Sequence, residues 1–345
     1  MKDKIKKITK SKTFVGLIKV FAFSLVFLII LEALSFTVFS KKSGASYKNK
    51  FSNAYSFTSE PDNTIQIAGI GNSDLYSAFS PTVLWDKFGY TSTIIAAPRL
   101  TVANGYELLK QLLKTQSPQI LFIETDMLYK DVPDKSKKAF EEYKKSNAQL
   151  QFNKFINNFD SNRFQTTIEN HFTIFLFHDR WKGKNVKKTG DNAHGYYFSK
   201  DIVTMKPRDY MGISQQKEPI AQENLDVLDD MIGLCKKNNI QVVFMEMPSV
   251  TSWSMERHNA VQELADSYSY DFIDFNVLMD DVGISLKKHF RDKGNHLNYF
   301  GAKKITKYVG SYLSKYNLEN RTENPDYEFW NESSRAFKAE NKIKH

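Results

Sequence analysis

The sequence predicts an α/β domain on a doubly wound parallel five-stranded sheet, with an inserted helical cap and one N-terminal transmembrane helix. Three observations lead there. Short apolar runs alternate with helix-length stretches, the pattern of a parallel sheet covered on both faces. One long charged and aromatic interval interrupts that alternation, and a lysine cluster followed by a long apolar stretch opens the chain.

The opening segment comes first in order. Lys2, Lys4, Lys6, Lys7, Lys10 and Lys12 fill a basic segment over residues 1–13, and residues 14–40 form an apolar stretch interrupted by Glu32 and small polar residues. That length suffices to cross a hydrocarbon core of about 30 Å. The positive-inside bias keeps the lysines in the cytoplasm and puts the rest of the chain outside, as a single-pass membrane protein. A cleaved signal peptide is the alternative, opposed by the length of the run and the lack of an Ala-x-Ala site. Lys19 can snorkel to the interface, while Glu32 reads either as a pointer to a membrane partner or as a tolerated polar residue. Residues 41–63, rich in Ser, Asn and Lys, read as a stalk.

The domain then begins near Thr64. Strands are expected at Thr64–Ile70, Thr93–Ala97, Gln119–Ile123, Gln241–Met245 and Phe272–Phe275, because each is a short apolar run rich in β-branched or aromatic residues. Helices are expected at about Pro81–Phe88, Ala103–Thr115, Gln222–Lys237, Ser254–Tyr268 and Gly301–Ser314. Residues 130–219 are too long for a simple crossover and read as a cap over the carboxyl edge of the sheet. The cap contains His171, His178 and His194, whose spacings match no tight ligand motif, so they read as structural and no metal or other cofactor is expected. After Tyr316 the chain is polar, with Phe329 and Trp330 as its sizeable apolar pair, and reads as a mobile tail or a small packed flap.

Composition narrows the function classes. With 345 residues and 41% apolar content the chain can hold one large packed domain. The net charge of +9 is largely that of the topogenic lysines, and no basic run is interleaved with aromatics, so nucleic acid is not an expected partner. The single cysteine, Cys235, excludes an intramolecular disulfide framework and reads as a buried structural thiol.

Two motifs carry chemistry. Gly71-Asn72-Ser73-Asp74 follows the first strand, where open α/β sheets bind ligands and where a helix N-terminus offers free N–H groups to an oxyanion. Ser73 is the candidate nucleophile; alone, the same serine reads equally well as a helix cap. Asp292-Lys293-Gly294-Asn295-His296-Leu297-Asn298 supplies an acid and a base from one loop. A serine hydroxyl needs such a base, and the base needs a carboxylate to orient it.

In this arrangement the chain resembles the SGNH/GDSL hydrolase superfamily, over about Ile65 to Tyr312 apart from the insertion. The matching residues are Gly71-Asn72-Ser73-Asp74 with Ser80-Pro81, and His296-Leu297-Asn298 with Gly301. The resemblance implies an SGNH-like sandwich in which Ser73 is nucleophile, His296 general base and Asp292 its orienting acid. Asp292 and His296 are one residue further apart than in the family. No counterpart of the block-two glycine appears in Ala97-Pro98-Arg99-Leu100-Thr101, and block three becomes Ile123-Glu124-Thr125-Asp126. Asn72, Arg99 and Asp126 are therefore candidates for oxyanion or substrate binding, together with backbone N–H groups at Ser73 and Arg99.

With the anchor, the chain is similar to a membrane-anchored Gram-positive subgroup that works on cell-envelope polymers, often beside a membrane-bound O-acyltransferase. The teichoic-acid D-alanylation protein is more distantly similar. That implies acyl transfer to a polysaccharide or teichoic acid, or ester hydrolysis, through an acyl-serine. The other reading is a non-catalytic scaffold that binds an envelope polymer or a membrane acyltransferase.

Overall fold

The computed structural model describes residues 12–36, 53–130 and 192–343. The basic segment, most of the stalk and residues 131–191 of the insertion, with His171 and His178, lie outside them. The chain divides into two compact units. The described part of the first is helix α1, Lys12–Phe36, within which Val15–Ser35 is long and apolar enough to cross a membrane.

The second unit holds the sheet. Its strands are β1 (Ile67–Gly71), β2 (Ser92–Ala96), β3 (Ile120–Glu124), β4 (Gln241–Glu246) and β5 (Phe272–Asp274). All pairings are parallel, in the order β2-β1-β3-β4-β5. The helices are α2 (Ser73–Ala78), α3 (Pro81–Phe88), α4 (Val102–Leu112), α5 (Gln222–Lys237), α6 (Met255–Tyr268), α7 (Met279–Val282), α8 (Tyr299–Leu313) and α9 (Glu328–Glu340).

The strands read as continuous apolar runs because both faces are covered. Ala68, Ile70, Leu121, Ile123, Val242 and Phe244 point into a core with α4, α5 and α6. Their neighbours Ile67, Ile120, Phe122, Val243 and Met245 point the other way, into a core with α2, α3 and α8. Alternation at period two therefore divides one strand between two cores. Cys235 is fully buried in the first, and burial pushes its thiol up to about 12, as fits a structural residue.

Local signals set the helix ends. Ser80 is the N-cap of α3, Pro81 supplies the pre-set φ of its first turn, and Gly89 closes it in the left-handed region at φ 71°. Ser254 caps α6 by accepting from Arg257 N. From 192 to 221 the chain contains no helix; this return limb of the insertion is extended and tied down by backbone bonds, Tyr197 N to Tyr76 O at 2.7 Å and Val203 N to Phe290 O at 3.0 Å. The helical character expected of the cap concerns residues outside the described set.

The polar C-terminal segment packs rather than trailing. Trp330 of α9 is fully buried against Trp85 of α3, with ring centroids 5.5 Å apart, and stacks on His194 at 3.7 Å. His194 is itself buried, held by Glu60 Oε1 at 2.5 Å through Nδ1 and by Ser333 Oγ at 3.0 Å through Nε2. Those contacts give it a structural role.

Candidate active site

The strand order reverses direction between β1 and β3, and a crevice opens at such a switch point beyond the carboxyl ends of the strands. Ser73 follows β1 there as the first residue of α2, and Glu124 ends β3 beside it.

The turn between β1 and α2 is built by side chains that take up its amides. Asn72 Oδ1 accepts from Asp74 N at 2.9 Å, an N-cap bond. Glu124 accepts from Asn72 N through Oε2 and from Leu75 N, at 3.1 Å, through Oε1. Ser73 N–H is left with no acceptor among the described residues. Among the described residues, the amide of this turn that remains free is that of the candidate nucleophile, where a developing oxyanion would need a donor. Ser73 Oγ is likewise unengaged among the described residues. A glycine precedes this turn because Glu124 presses on it: a Cβ at Gly71 would stand 2.5 Å from both Glu124 Cβ and Oε2.

The base arrives on a separate loop. Phe290 and Leu297 form an antiparallel bridge that closes residues 290–297 into a hairpin. Asp292 Oδ1 accepts from the backbone N–H of Gly294, Asn295 and His296 at 3.1, 2.9 and 3.1 Å. Its Oδ2 accepts from His296 Nδ1–H. Gly294 holds φ 107° in this loop, a conformation that glycine adopts without a side-chain penalty. Burial acts to raise the Asp292 pKa, but the hydrogen bonds from His296 and the backbone amides outweigh it and hold the carboxyl down to about 2.

Asn298 continues the loop into α8. Its Oδ1 accepts from Phe300 N and Gly301 N, and its Nδ2 donates to Asp201 O and Lys288 O. Gly301 is needed because a Cβ there would meet His289 O at 2.8 Å. The His-Leu-Asn-x-x-Gly pattern thus encodes a capped helix that fixes the histidine.

The structure brings the two motifs together through Asp74. His296 Nε2 faces Asp74 Oδ1 at 3.6 Å, so the imidazole lies between two carboxyl groups, and no hydrogen bond joins it to Ser73. Asp74 is buried; burial first, then the charge of Asp126, raises its pKa well above the ordinary value, opposed by Lys130 and Arg291.

The remaining candidates take different places. Asn72 is a buried cap whose Nδ2 donates to Asp126 Oδ2. Asp126 is fully buried and also engaged by Lys130 Nζ at 2.5 Å and Arg257 Nη1 at 3.3 Å. With their polar atoms so committed, both position the turn rather than face a ligand. Arg99 is the exposed third residue of a turn closed by Leu100 N on Ala97 O at 3.1 Å, and it holds φ 55°. That turn adjoins β1, since Ala97 N donates to Gly71 O at 3.3 Å, and neither the amide nor the guanidinium of Arg99 has an acceptor among the described residues.

Sequence reasoning assigned no role to Glu124, Glu246 or Asp274. Each is the last residue of its strand and fully or almost fully buried. Glu246 Oε2 accepts from Thr125 Oγ1 and Asp126 N, both at 2.7 Å, and Asp274 accepts from Trp253 Nε1 and His258 Nδ1. The signal was legible: three apolar runs each end in an acid.

No protein-family model matches the chain, and no curated protein matches it. Among solved structures it is similar to one from Bacteroides fragilis described as a "putative acylhydrolase", with 11% identity, a TM-score of 0.35, and coverage of 74% of this chain and 90% of that one. The fold assignment rests on the chain's own architecture: an all-parallel five-stranded α/β sheet with helices on both faces and a serine, an aspartate and a histidine at its carboxyl edge.

Proposed function

We propose that the protein is a serine-dependent O-acyltransferase or esterase of SGNH type that acts outside the cytoplasm on a cell-envelope polysaccharide or teichoic acid. The observation that carries this reading is the Asp292–His296 pair, seated against the very helix that Ser73 opens.

In the proposed reaction His296 Nε2 takes the Ser73 hydroxyl proton as Oγ bonds to the acyl carbon, and the Ser73 N–H meets the oxyanion. The imidazolium then gives its proton to the departing oxygen, leaving acyl-Ser73. An acceptor hydroxyl, or water, loses its proton to His296 and attacks, which releases the serine. Asp292 holds the tautomer throughout. The apolar α1 with its lysine-rich flank supports a tether beside a membrane-side acyl donor, such as a membrane-bound O-acyltransferase partner, and that favours transfer over hydrolysis.

A second reading, a non-catalytic scaffold, is favoured by one observation: His296 Nε2 meets Asp74 where a relay would meet Ser73. A fluorophosphonate probe on the full chain separates the two. Labelling at Ser73 that disappears in Ser73→Ala and His296→Ala supports the enzyme, and a wild-type chain that never labels supports the scaffold.

A further inference from the structure

Two arginines near the site are treated in opposite ways. Arg257 is fully dressed: it forks onto Glu218 at 2.8 and 2.9 Å and also meets Asp126 and Ser252 O. Arg291, the residue before Asp292, has no acidic partner among the described residues. Its Nη2 donates to Ser77 Oγ at 2.9 Å, its side chain also hydrogen-bonds that of Tyr76, and its Nε is buried with no acceptor. A guanidinium carries five N–H donors in a rigid fork suited to a phosphate or carboxylate, and both partners here are neutral hydroxyls, so no anion takes up the fork.

The surroundings of Arg291 are aromatic. Its guanidinium lies 4.2 Å from the ring centroid of Tyr197, which is 47% exposed, and Tyr197 in turn packs on Tyr76 at 5.7 Å. The backbone fixes this group, because Tyr197 N donates to Tyr76 O. It also stands beside the nucleophile: Ser77, which Arg291 holds, donates its hydroxyl to Ser73 O at 2.7 Å, one helical turn away. A cation that feels the buried Asp74 but forms no ion pair among the described residues, stacked on a half-exposed ring, is the chemistry that recognises an anionic group carried on a ring or polyol.

We propose that Arg291 and Tyr197, backed by Tyr76, form a recognition subsite for an anionic saccharide or polyol chain, with the guanidinium on one phosphodiester or carboxylate and the Tyr197 face on the adjoining C–H surface. The subsite holds the polymer so that a neighbouring hydroxyl or ester reaches Ser73. That last step rests on the acyl-transfer reading, whereas the binding does not.

The test is direct binding to the full chain carrying Ser73→Ala, in micelles of a neutral detergent, so that turnover plays no part. The probes are a glycerol-phosphate oligomer, polygalacturonate and neutral dextran. At least one anionic chain binds while dextran does not, and which one binds tells phosphate from carboxylate. Arg291→Gln weakens that binding by about 10- to 100-fold, as expected for loss of hydrogen bonds to a charged group. Arg291→Lys falls between, since it keeps the charge and loses the fork. Tyr197→Ala, a change at a half-exposed ring, weakens binding without a loss of folding and covers the case in which Arg291→Gln is unstable. Lys237→Gln, at the end of α5 and hence at the amino edge of the sheet, leaves binding within about 2-fold of the parent, inside the scatter of charge screening. Dextran binding equally well, unchanged affinity in the Arg291 and Tyr197 variants, or an equal loss in Lys237→Gln would each overturn the proposal. None of these results depends on whether Ser73 labels, so the subsite and the acyl-transfer reading fail separately.

Discussion

His296 Nε2 and Asp74 Oδ1 stand 3.6 Å apart, so the nitrogen that takes the serine proton in the proposed reaction faces a carboxyl one residue beyond Ser73 on the same helix. Asp74 is buried and its pKa is raised well above the ordinary carboxyl value, so its own titration is carried into the pH dependence of this pair. Asp74→Asn removes that titrating group, and the shape of the kcat/KM profile for ester turnover changes. The groups that face the pair are Asp292, Asp126, Lys130 and Arg291, all retained in this variant. A profile that superimposes on the wild type would show that Asp74 is a bystander.

Asp292→Asn tests the other side of the ring. The substitution keeps the loop's size but turns an acceptor of His296 Nδ1–H into a group that can stabilise the wrong tautomer. A fall in kcat on the order of 10⁴-fold is expected, by analogy with the same exchange in a serine protease triad. Burst kinetics with an activated ester measure it, and a loss under about 10-fold would remove Asp292 from the relay.

Gly71→Ala places a Cβ 2.5 Å from Glu124 and forces either the strand end or the glutamate to move. Overpacking of this kind costs about 1–3 kcal/mol. Because Glu124 holds the Asn72 and Leu75 amides, Ser73 labelling slows as well. Chemical denaturation and labelling rate read the two effects separately, and a stable variant with normal labelling would contradict the cradle.

Buried acids give the stability profile its sign. Asp74, Glu124 and Glu246 are all raised, by burial first and then by one another or Asp126. Each binds its proton more tightly folded than unfolded, so its contribution is full below the unfolded values of 3.8 for Asp and 4.5 for Glu and declines as pH rises through the folded titrations. Asp292, held at about 2, acts oppositely and loses its contribution only as pH falls through that value. Glu246→Gln therefore flattens the decline of melting temperature on the alkaline side, as differential scanning fluorimetry from pH 5 to 9 would record. An unchanged slope would count against the buried acid.

Trp330→Ala leaves a void beneath α9 where Trp85 and His194 now pack. The loss is about 3–5 kcal/mol, the range for truncating a buried aromatic. A loss within the error of chemical denaturation would make α9 an ornament of the domain.

Much of the fold was legible. All five strands fall where apolar runs predict them, and α3 and α5 begin and end at the expected residues, because Ser80-Pro81, Gly89 and the apolar spacing of α5 are local signals. α9 was harder, since its buried face, Trp330, Ser334 and Phe337, carries only two large apolar side chains in a segment that is otherwise polar and charged. At the site, Ser73, Asp292 and His296 stood out because their motifs are contiguous. Arg291 meeting Tyr197, and Glu124 meeting Asn72, are contacts across 94 and 52 residues that only the tertiary fold creates. Asn72 and Asp126 were legible as a motif, whereas their burial and their engagement with each other were not, because those depend on the packed turn.

The wide separation of the two motifs has a consequence in time as well as space. Ser73 belongs to the first strand–helix unit of the domain and His296 to the loop before α8, so a growing chain presents the candidate nucleophile long before the candidate base. Until β5 has joined the edge of the sheet and the 290–297 hairpin has closed, the serine is an ordinary hydroxyl. On the proposed acyl-transfer reading, reactivity would be switched on by completion of the fold, which would protect an unfinished molecule and everything beside it from stray acylation.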